Sequence, residues 1–452
     1  MDINTAPRGE LVRLVYEMAD RIAVLEGEIG RLKEQLHEKG KGTSTPAQPP
    51  PFVRANKKKN KNTTRKKRAT AYTRKKETPT ETVFHTEEKC SDCGGKLGKP
   101  VVAYNRQIID LPVITYTVSD HVVIRRWCYH CKKSIQPEVN FKGLVIGKGR
   151  IGINLTATIV TMRDRLRLPV GMIQAYLKLV YGLSISKGEI VGLLQNVAAI
   201  GKPTYEHILE EIRKSPVVHA DETGGREDGV NGYFWSFSTK KVHFLMYRKS
   251  RAAKVVEEIV GKDSEQFDGV LTTDFYAAYN TYSGFHQRCW VHLLRDIHKL
   301  KEEHKKHPPL NKWAKQVKQI YEEAKAYGGP SPNTKAGVAM EERIAKQRQF
   351  EERLKQVSQK YVLSNAPMST LCGRIMTFMP ELFTFVRFPQ VASDNNPAER
   401  IIRHTVVARK IQGGTRSPKG SETKSILTSL FDTWNLQGLN PLEQCRLLLA
   451  TC

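Results

Sequence analysis

Residues 217–223, VVHADET, and residues 269–274, GVLTTD, decide the fold of this chain. Both begin as short apolar runs rich in β-branched side chains, the composition of buried strands. The apolar part of each run ends on an aspartate, Asp221 in the first and Asp274 in the second. We therefore expect two strands that each carry a carboxylate at their end.

The residues between these two runs indicate how they are connected. GYFWSFST (232–239) and KVHFLMYRK (241–249) are two more strand-like runs, and SRAAKVVEEIVGK (250–262) has helical spacing. Three meandering strands, a helix and a further strand fit an RNase H-like α/β core.

A third acid lies far downstream, in SDNNPAERIIR at residues 393–403. This stretch has the features of a helix start, with Glu399 in the helix and Asp394 placed to cap it. Two aspartates at neighbouring strand ends and a glutamate on a facing helix can hold two divalent cations roughly 3.5–4 Å apart, and such a pair promotes phosphodiester exchange. An all-carboxylate site favours Mg²⁺. Glu222 should point away from Asp221, because successive strand residues face opposite sides.

The composition indicates a polyanionic partner. The chain has 452 residues, too many for one compact core, and a formal net charge of +27. No apolar run approaches the ~20 residues that span a bilayer, and the N-terminus lacks the apolar region of a signal peptide. We therefore expect a cytosolic (cytoplasmic), multidomain α+β protein that binds DNA and no membrane.

The N-terminal part of the chain divides into two segments. Residues 1–39 carry an a/d heptad pattern, which predicts a coiled coil and a homodimer or higher homo-oligomer; an amphipathic helix packed on its own domain is the alternative. The pattern consists of Leu11, Val15, Met18, Ile22, Leu25, Ile29, Leu32 and Leu36. Residues 40–80 are polar, and Arg54–Lys76 holds twelve Lys or Arg and no acid. This composition predicts a disordered linker that either tethers DNA through its phosphates or is simply solvated.

Cys90, Cys93, Cys128 and Cys131 form two CxxC pairs within residues 81–145. In a reducing compartment, two such pairs brought together by antiparallel strands make a closed thiolate site for a structural Zn²⁺ ion. The runs between the pairs, VVAYNRQIIDLPV and ITYTVSDHVVIRRW, predict those strands. Two unconnected pairs of reduced thiols are the alternative.

Two other regions have helical spacing. Residues 146–213 contain three such segments, with Ser186 placed to cap the last, and predict a helix-turn-helix-like DNA-binding region or a plain helical connector. Residues 296–390 are rich in Lys, Glu and Gln with periodic apolar residues. They predict a helical insertion between the second and third acids, or a separate coiled-coil domain. The RNase H-like core is then expected in two parts, residues 214–295 and residues 391–452, the second ending in a C-terminal helix.

Five basic residues closely follow the third acid in the sequence. They are Arg400, Arg403, Arg409, Lys410 and Arg416. We expect the group to grip phosphates beside the scissile bond, because Arg can donate two hydrogen bonds to one phosphate. A solvated basic face is the alternative.

Cys289 and His292 have Cys-x-x-His spacing just after the second aspartate. A metal site would need two more ligands, and His286 is the obvious local addition. We favour a structural pair that packs the helical insertion against the core.

The ordered motifs HADET, TTDFYAAY, CWVHLLRD, DNNPAERIIR and ARKIQGGTRS resemble those of insertion-sequence-66 family transposases. The resemblance extends roughly from residue 8 to the end of the chain, and the heptads, the CxxC pairs and the helical region match the family's leader modules. It implies an RNase H-like core with a DDE triad. Asp221 then falls on the first aspartate, Asp274 on the second and Glu399 on the glutamate.

The expected function is that of a bacterial, nucleoid-associated DNA transposase. It would bind the terminal inverted repeats of an insertion sequence, cleave DNA with two Mg²⁺ ions and join the 3′-hydroxyl ends to target DNA. A catalytically inactive DNA-binding regulator derived from a transposase is the main alternative. An RNase H-type nuclease acting on RNA–DNA hybrids is a weaker one.

Overall fold

The computed structural model describes residues 78–111, 115–262, 267–328 and 338–451. The predicted coiled coil at residues 1–39 and most of the predicted linker at residues 40–80 lie outside the described residues. The chain divides into two compact units between Asp110 and Leu111. In the part of the chain that the structure describes, no helix has both the length and the apolar character needed to cross a membrane.

The region around the CxxC pairs contains little regular structure. Residues 78–110, the described part of the first unit, form no helix or strand, apart from an isolated bridge between Lys89 and Lys96. In the second unit, β1 (Arg126–Cys128) pairs with β2 (Lys133–Ile135) in an antiparallel hairpin.

The prediction of strands throughout the interval between the CxxC pairs is therefore wrong for the described residues. Only β1 lies within the two runs that predicted them. Apolar side chains of these runs, such as Val101, Ile108 and Val118, remain exposed. Alternation favours a strand only where a neighbouring strand pairs with it and covers its apolar face.

The main part of the second unit begins with three helices. They are α1 (Ile153–Asp164), α2 (Val170–Tyr181) and α3 (Lys187–Arg213). Ser186 Oγ accepts a hydrogen bond from the backbone N–H of Glu189 at 3.0 Å, so the predicted N-cap of α3 is confirmed. The buried residues of α3 belong to the same hydrophobic core as those of the central sheet.

The central sheet in the described residues has the strand order β5–β4–β3–β6–β7. The strands are β3 (Val217–Glu227), β4 (Val230–Ser238), β5 (His243–Arg248), β6 (Val270–Thr273) and β7 (His286–Arg288). β4 pairs antiparallel with both β3 and β5, whereas β6 pairs parallel with β3 and β7 pairs parallel with β6. Helix α4 (Lys254–Val260) lies between β5 and β6 in the chain, which matches the predicted order of elements.

Strand β3 extends further than the sequence indicated. The expectation that a strand ends at Asp221 is wrong, because β3 continues to Glu227 through antiparallel pairing with β4. Asp228 and Gly229, with φ angles of 49° and 78°, form the two-residue turn. Two consecutive positive φ angles give a hairpin turn whose twist matches that of the flanking strands.

The predicted helical insertion is present and has its own hydrophobic core. Its helices are α5 (Trp290–Glu303), α6 (Pro308–Tyr327), α7 (Met340–Ser358), α8 (Ser369–Thr377), α9 (Met379–Leu382) and α10 (Thr384–Arg387). Trp290, Trp313, Phe350 and Phe383 are buried together in this core. The insertion is thus a packed layer of helices that begins beside β7.

Three helices complete the chain: α11 (Asn396–Gln412), α12 (Pro418–Leu436) and α13 (Pro441–Ala450). α11 packs on β3 and β4, and α12 packs on β5 and α3. The first turn of α11 therefore lies over the sheet that carries the two aspartates.

Candidate active site

Asp221 and Asp274 lie at the same level of two neighbouring parallel strands. His219 of β3 pairs with Thr272 of β6, and each aspartate lies two residues beyond that pair. Asp274 directly follows β6. Residues two apart on a strand point to the same face, so the register brings the two predicted carboxylates side by side.

The three predicted acids influence one another electrostatically. Burial, followed by the negative charges of Glu222, Asp274 and Glu399, raises the pKa of Asp221 to about 7. The backbone N–H of Glu222, which donates to Asp221 Oδ1 at 2.9 Å, opposes this rise. The influence of Asp274 and Glu399 on Asp221 indicates that the fold brings all three predicted carboxylates together.

Asp274 is held by hydrogen bonds at the end of β6. Its Oδ1 accepts from the backbone N–H of Tyr276 at 2.9 Å, and its carbonyl oxygen accepts from Arg288 at 2.9 Å. The fully buried Arg288 also donates to Asn280 Oδ1 at 2.7 Å and forms an ion pair with Glu381 at 2.6 Å. These contacts fix the backbone that presents the second aspartate.

Glu399 lies in the first turn of α11 and faces the Cys-x-x-His pair at the start of α5. Its Oε1 lies 3.6 Å from His292 Nε2. One ligand atom from each of Cys289, His292 and Glu399 lies within 4.8 Å of the other two. Glu399 Oε1 and His292 Nδ1 are both buried without a hydrogen-bond partner among the described residues.

The sequence did not reveal this contact, because it joins residues of the third and fourth motifs, CWVHLLRD and DNNPAERIIR, across the helical insertion. His286, the local candidate for a further ligand, is engaged elsewhere. Its Nε2 lies 2.8 Å from Thr273 Oγ1 and its Nδ1 lies 3.3 Å from Glu381. Glu399, rather than His286, is therefore the third neighbour of Cys289 and His292.

Asn395 ties the start of α11 to β3 and to α5. Its Nδ2 donates to the carbonyl oxygen of Ala220 at 2.8 Å, and its Oδ1 lies 3.1 Å from His219 Nδ1. Its backbone N–H donates to Cys289 Sγ at 3.1 Å. Because Asn395 is buried and bonds on both sides, it sets the position from which Glu399 faces Asp221.

Two acids next to the predicted triad have structural contacts of their own. Glu222 forms an ion pair with Arg251 at 2.6 Å and accepts from Tyr279 Oη at 2.6 Å. Asp394 Oδ1 accepts from the backbone N–H of Asn396 at 3.1 Å, in agreement with a capping role at the start of α11. Both acids are thus engaged within the protein.

The five predicted phosphate-binding residues lie in different places. Arg400 and Arg403 are exposed on α11 and line a cavity of about 720 Å³. Arg409 is half-buried and donates to a backbone carbonyl oxygen of β3. Lys410 and Arg416 are exposed and do not line this cavity. Phosphate binding by the group stays a prediction.

Cys90 and Cys93 lie on a tight turn in the first unit. The backbone N–H of Gly94 donates to the carbonyl oxygen of Cys90 at 2.8 Å, and Gly94 has a φ of 69°, which glycine adopts without strain. Hydrogen bonds from the backbone N–H groups of Asp92 and Cys93 lower the pKa of Cys90. The turn thus favours the thiolate, the form that binds metals.

Cys128 and Cys131 lie at the turn between β1 and β2 in the second unit. The backbone N–H of Cys131 donates to Cys128 Sγ at 3.4 Å. This bond, with a smaller effect of His130, lowers the pKa of Cys128. Each CxxC pair therefore has a local geometry suited to metal binding, and the four-cysteine site stays a prediction.

The two sets of donors suit different metals. The carboxylate oxygens of Asp221, Asp274 and Glu399 are hard ligands, which Mg²⁺ prefers. The thiolates of two CxxC pairs are the usual ligands of structural zinc. In a chain of net charge +27, the carboxylate set is suited to chemistry on a phosphodiester.

Comparisons with known proteins match both regions. The sequence model described as the transposase IS66 family matches residues 148–423, which include all three acids. A second model, described as the zinc-finger binding domain of transposase IS66, matches residues 87–132, which include the four cysteines. The chain is also similar to an uncharacterized protein, y4jD of Sinorhizobium fredii, with 23% identity over 384 residues, covering 78% of this chain and 72% of that protein.

Proposed function

Because this chain belongs to the IS66 family of transposases, we propose that it cleaves and joins DNA at the ends of an insertion sequence, with Asp221, Asp274 and Glu399 as its DDE triad. The observation that carries the proposal is the convergence of these three acids. Asp274 and Glu399 both contribute to the raised pKa of Asp221. Carboxylates held close together, in a chain of net positive charge, are the expected arrangement for metal-dependent phosphodiester exchange.

We interpret the central sheet as an RNase H-like core. The topology supports this interpretation, because three antiparallel strands are followed by a helix and by two strands that are parallel to the first strand. The two aspartates lie on β3 and directly after β6, and the glutamate reaches the same sheet from α11. This placement supports a site built from three separate segments of the chain.

The three carboxylates fit a site for two divalent cations. Burial and acidic neighbours disfavour the charged form of Asp221, and a bound cation would offset both effects. Glu399 Oε1 is a buried acceptor without a donor among the described residues. Asp221, Asp274 and Glu399 would together hold both ions, through carboxylate oxygens from three separate segments of the chain. When bound, Mg²⁺ ions activate the attacking water or 3′-hydroxyl and stabilise the leaving oxygen.

The protein's own groups orient the acids before DNA binds. Tyr276 and Arg288 hold Asp274, and Asn395 fixes the start of the helix that carries Glu399. Ligands fixed in this way need little reorganisation during the reaction. With a pKa of about 7, the Asp221 carboxyl group is about half protonated at neutral pH, and a bound cation would favour its carboxylate form.

The N-terminal modules would assemble the chain on DNA. We infer that Cys90, Cys93, Cys128 and Cys131 bind one structural Zn²⁺ ion, which the match to the family's zinc-finger model supports. The heptad segment would join two or more chains, so that both ends of the element are held together. The basic linker and the helical region at residues 146–213 would contact DNA in the bacterial cytoplasm.

The decisive test uses labelled DNA that carries the ends of the element encoding this protein. The full chain, incubated with this DNA and Mg²⁺, should cut at the element ends and join the new 3′ ends to target DNA. Binding of the ends without cleavage in either Mg²⁺ or Mn²⁺ would contradict the proposal and favour a DNA-binding regulator. Cleavage of RNA–DNA hybrids alone would instead identify a nuclease.

His292→Ala is expected to lower the cleavage rate about 10- to 100-fold, as is usual for a residue that orients a metal ligand. The reason is the 3.6 Å approach of His292 Nε2 to Glu399 Oε1, which helps to fix the third carboxylate. The concentration of Mg²⁺ needed for half-maximal cleavage should rise as well. His298→Ala is the matched control, because His298 is exposed on the same helix. Equal Mg²⁺ dependence in both variants would refute the positioning role.

We expect the wild-type protein to hold about one zinc ion per chain. Cys90→Ser is expected to lose this ion. The loss of one of four thiolates opens the site, and metal content measured after gel filtration reports it directly. Ser91→Ala is the matched control, because Ser91 is exposed within the same turn and offers no thiolate. Unchanged zinc content in Cys90→Ser would rule out the four-cysteine site.

A further inference from the structure

The cavity beside α11 collects basic residues from several segments of the second unit. It has a volume of about 720 Å³ and is bounded by α11, the end of α12, the turn after α1 and the turn after β4. The basic residues that line it are Arg165, Arg167, Lys240, Arg400 and Arg403. Of these five, only Arg400 and Arg403 belong to the group of basic residues that the sequence predicts to bind phosphate.

The positive charge of this cavity is poorly balanced by the protein. Asp432 also lines it, but this carboxylate already pairs with Arg165 at 2.7 Å, with His243 at 3.0 Å and with His404 at 3.0 Å. In the described part of the chain, the other four basic residues of the cavity form no ion pair. Converging cations in a concave site create a field that attracts an anion.

The turn that carries Arg167 is held in an unusual conformation. Arg167 has a φ of 59°, in the left-handed region that side chains other than glycine rarely adopt. Such backbone strain concentrates at functional sites, where the surrounding fold maintains it. The turn between α1 and α2 is therefore fixed in a form that places a guanidinium group on the cavity.

The cavity adjoins the proposed catalytic acids. His219 lines it and lies two residues before Asp221 on β3, so both side chains project from the same face of the strand. Arg400 also lines it and directly follows Glu399 on α11. A ligand in the cavity would thus lie next to the carboxylates.

We propose that this cavity binds the sugar–phosphate backbone of a single DNA strand beside the scissile phosphate, an inference that rests on the proposed transposase function. Ligand pockets of about 300–1,000 Å³ enclose groups of small-molecule size, so a cavity of about 720 Å³ admits one strand and excludes a duplex. Thr239 and Asn435 add neutral hydrogen-bonding groups.

The contact is to the backbone rather than to the bases. Among the described residues, the lining contains no Phe, Tyr or Trp, so the cavity lacks the aromatic platform on which bases stack. Guanidinium groups bind phosphate oxygens without reading sequence. The strand is therefore held independently of its sequence, and specificity for the element ends comes from elsewhere in the protein.

The test compares Arg167→Gln and Arg403→Gln with Arg348→Gln as the matched control. Arg348 is exposed on α7, outside the cavity. All three are made in the full chain carrying Asp274→Asn, so that bound DNA stays intact. Affinity for a fluorescent single-stranded oligonucleotide and for a blunt duplex of equal length is measured against salt concentration. The basic N-terminal linker is common to all variants, so its contribution cancels in the comparison.

Each cavity variant should lower the salt slope for the single strand by about 0.7, the value for one lost phosphate contact. The blunt duplex and the control variant should show no such change. Unaltered slopes in both cavity variants, or an equal loss on the duplex, would overturn the proposal. Binding of millimolar inorganic phosphate to the Arg348→Gln protein but not to the cavity variants, with unaltered oligonucleotide slopes in all three, would identify a free-phosphate site and also overturn the proposal.

Two further measurements keep the result interpretable. Thermal unfolding checks that each variant folds, and Arg403→Gln serves alone if the strained turn of Arg167 does not tolerate substitution, because Arg403 is exposed on a helix surface. Cleavage by the chain with Asp274 intact is assayed separately. Normal cleavage with unaltered salt slopes refutes only the cavity, whereas altered slopes without any cleavage refute only the transposase.

Discussion

Replacement of Asp274 by asparagine is expected to lower the rates of DNA cleavage and joining by on the order of 10³-fold or more, because removing a ligand of both cations costs several kcal/mol of transition-state stabilisation. Binding of the element ends should be nearly unchanged. Asparagine retains the side-chain oxygen that accepts from the backbone N–H of Tyr276 at 2.9 Å. The change therefore removes a charge and leaves the local structure in place.

Asp268→Asn is the matched control for this experiment. Asp268 is exposed in the segment that precedes β6, so its substitution removes one carboxylate close by in sequence without touching the cluster. Cleavage and end binding are measured for both variants on the same labelled DNA. An Asp274→Asn protein that joins DNA at the control's rate would exclude Asp274 from the triad.

Asp221→Asn is expected to stabilise the metal-free protein at pH 8 while abolishing its activity. The pKa of Asp221 is about 7 in the folded protein, against an ordinary value of 3.8 for an aspartate, so the folded state holds this proton more tightly than the unfolded state. The resulting cost to stability is absent below the unfolded pKa, grows as the pH rises from about 4 to about 7, and is then constant. A shift of this size corresponds to about 4 kcal/mol.

Urea unfolding at several pH values, without added Mg²⁺, measures this effect as the difference between Asp221→Asn and wild type. The difference should be near zero at pH 4 and largest above pH 7, and added Mg²⁺ should reduce it by stabilising wild type alone. Asp268→Asn, which removes an exposed carboxylate outside the cluster, is the matched control for this pH series. A pH-independent difference for Asp221→Asn would contradict the buried, crowded carboxylate.

The sequence predicts the order of elements well because that order depends on local patterns. The strand-like runs, the helix between them and the cap at Ser186 are all set by neighbouring residues, and all are present. The end of β3 was misplaced because β4, not the apolar run itself, determines how far the strand continues. The strands predicted between the CxxC pairs are wrong for the converse reason, since no strand pairs with most of the described residues of that interval.

The sequence can indicate site residues only where they belong to a short motif of neighbouring residues, and it does not indicate contacts between distant segments. The motifs predict Asp221, Asp274 and Glu399 as site residues, but they do not predict the approach of His292 to Glu399, because α5 and α11 meet only in the folded chain. The role of Asn395 in joining three segments was missed for the same reason. Arg165, Arg167 and Lys240 gave no signal in the sequence, where they are ordinary basic residues in two turns.

The position of the helical insertion has a consequence for biosynthesis. Both aspartates leave the ribosome well before Glu399, and the intervening helices, which have their own core, are synthesised before α11 can pack on β3. Contacts of such high sequence separation form late in folding. A nascent chain, or one that ends prematurely within the insertion, lacks Glu399, and under the proposed function it would not cut the chromosome of the cell that makes it.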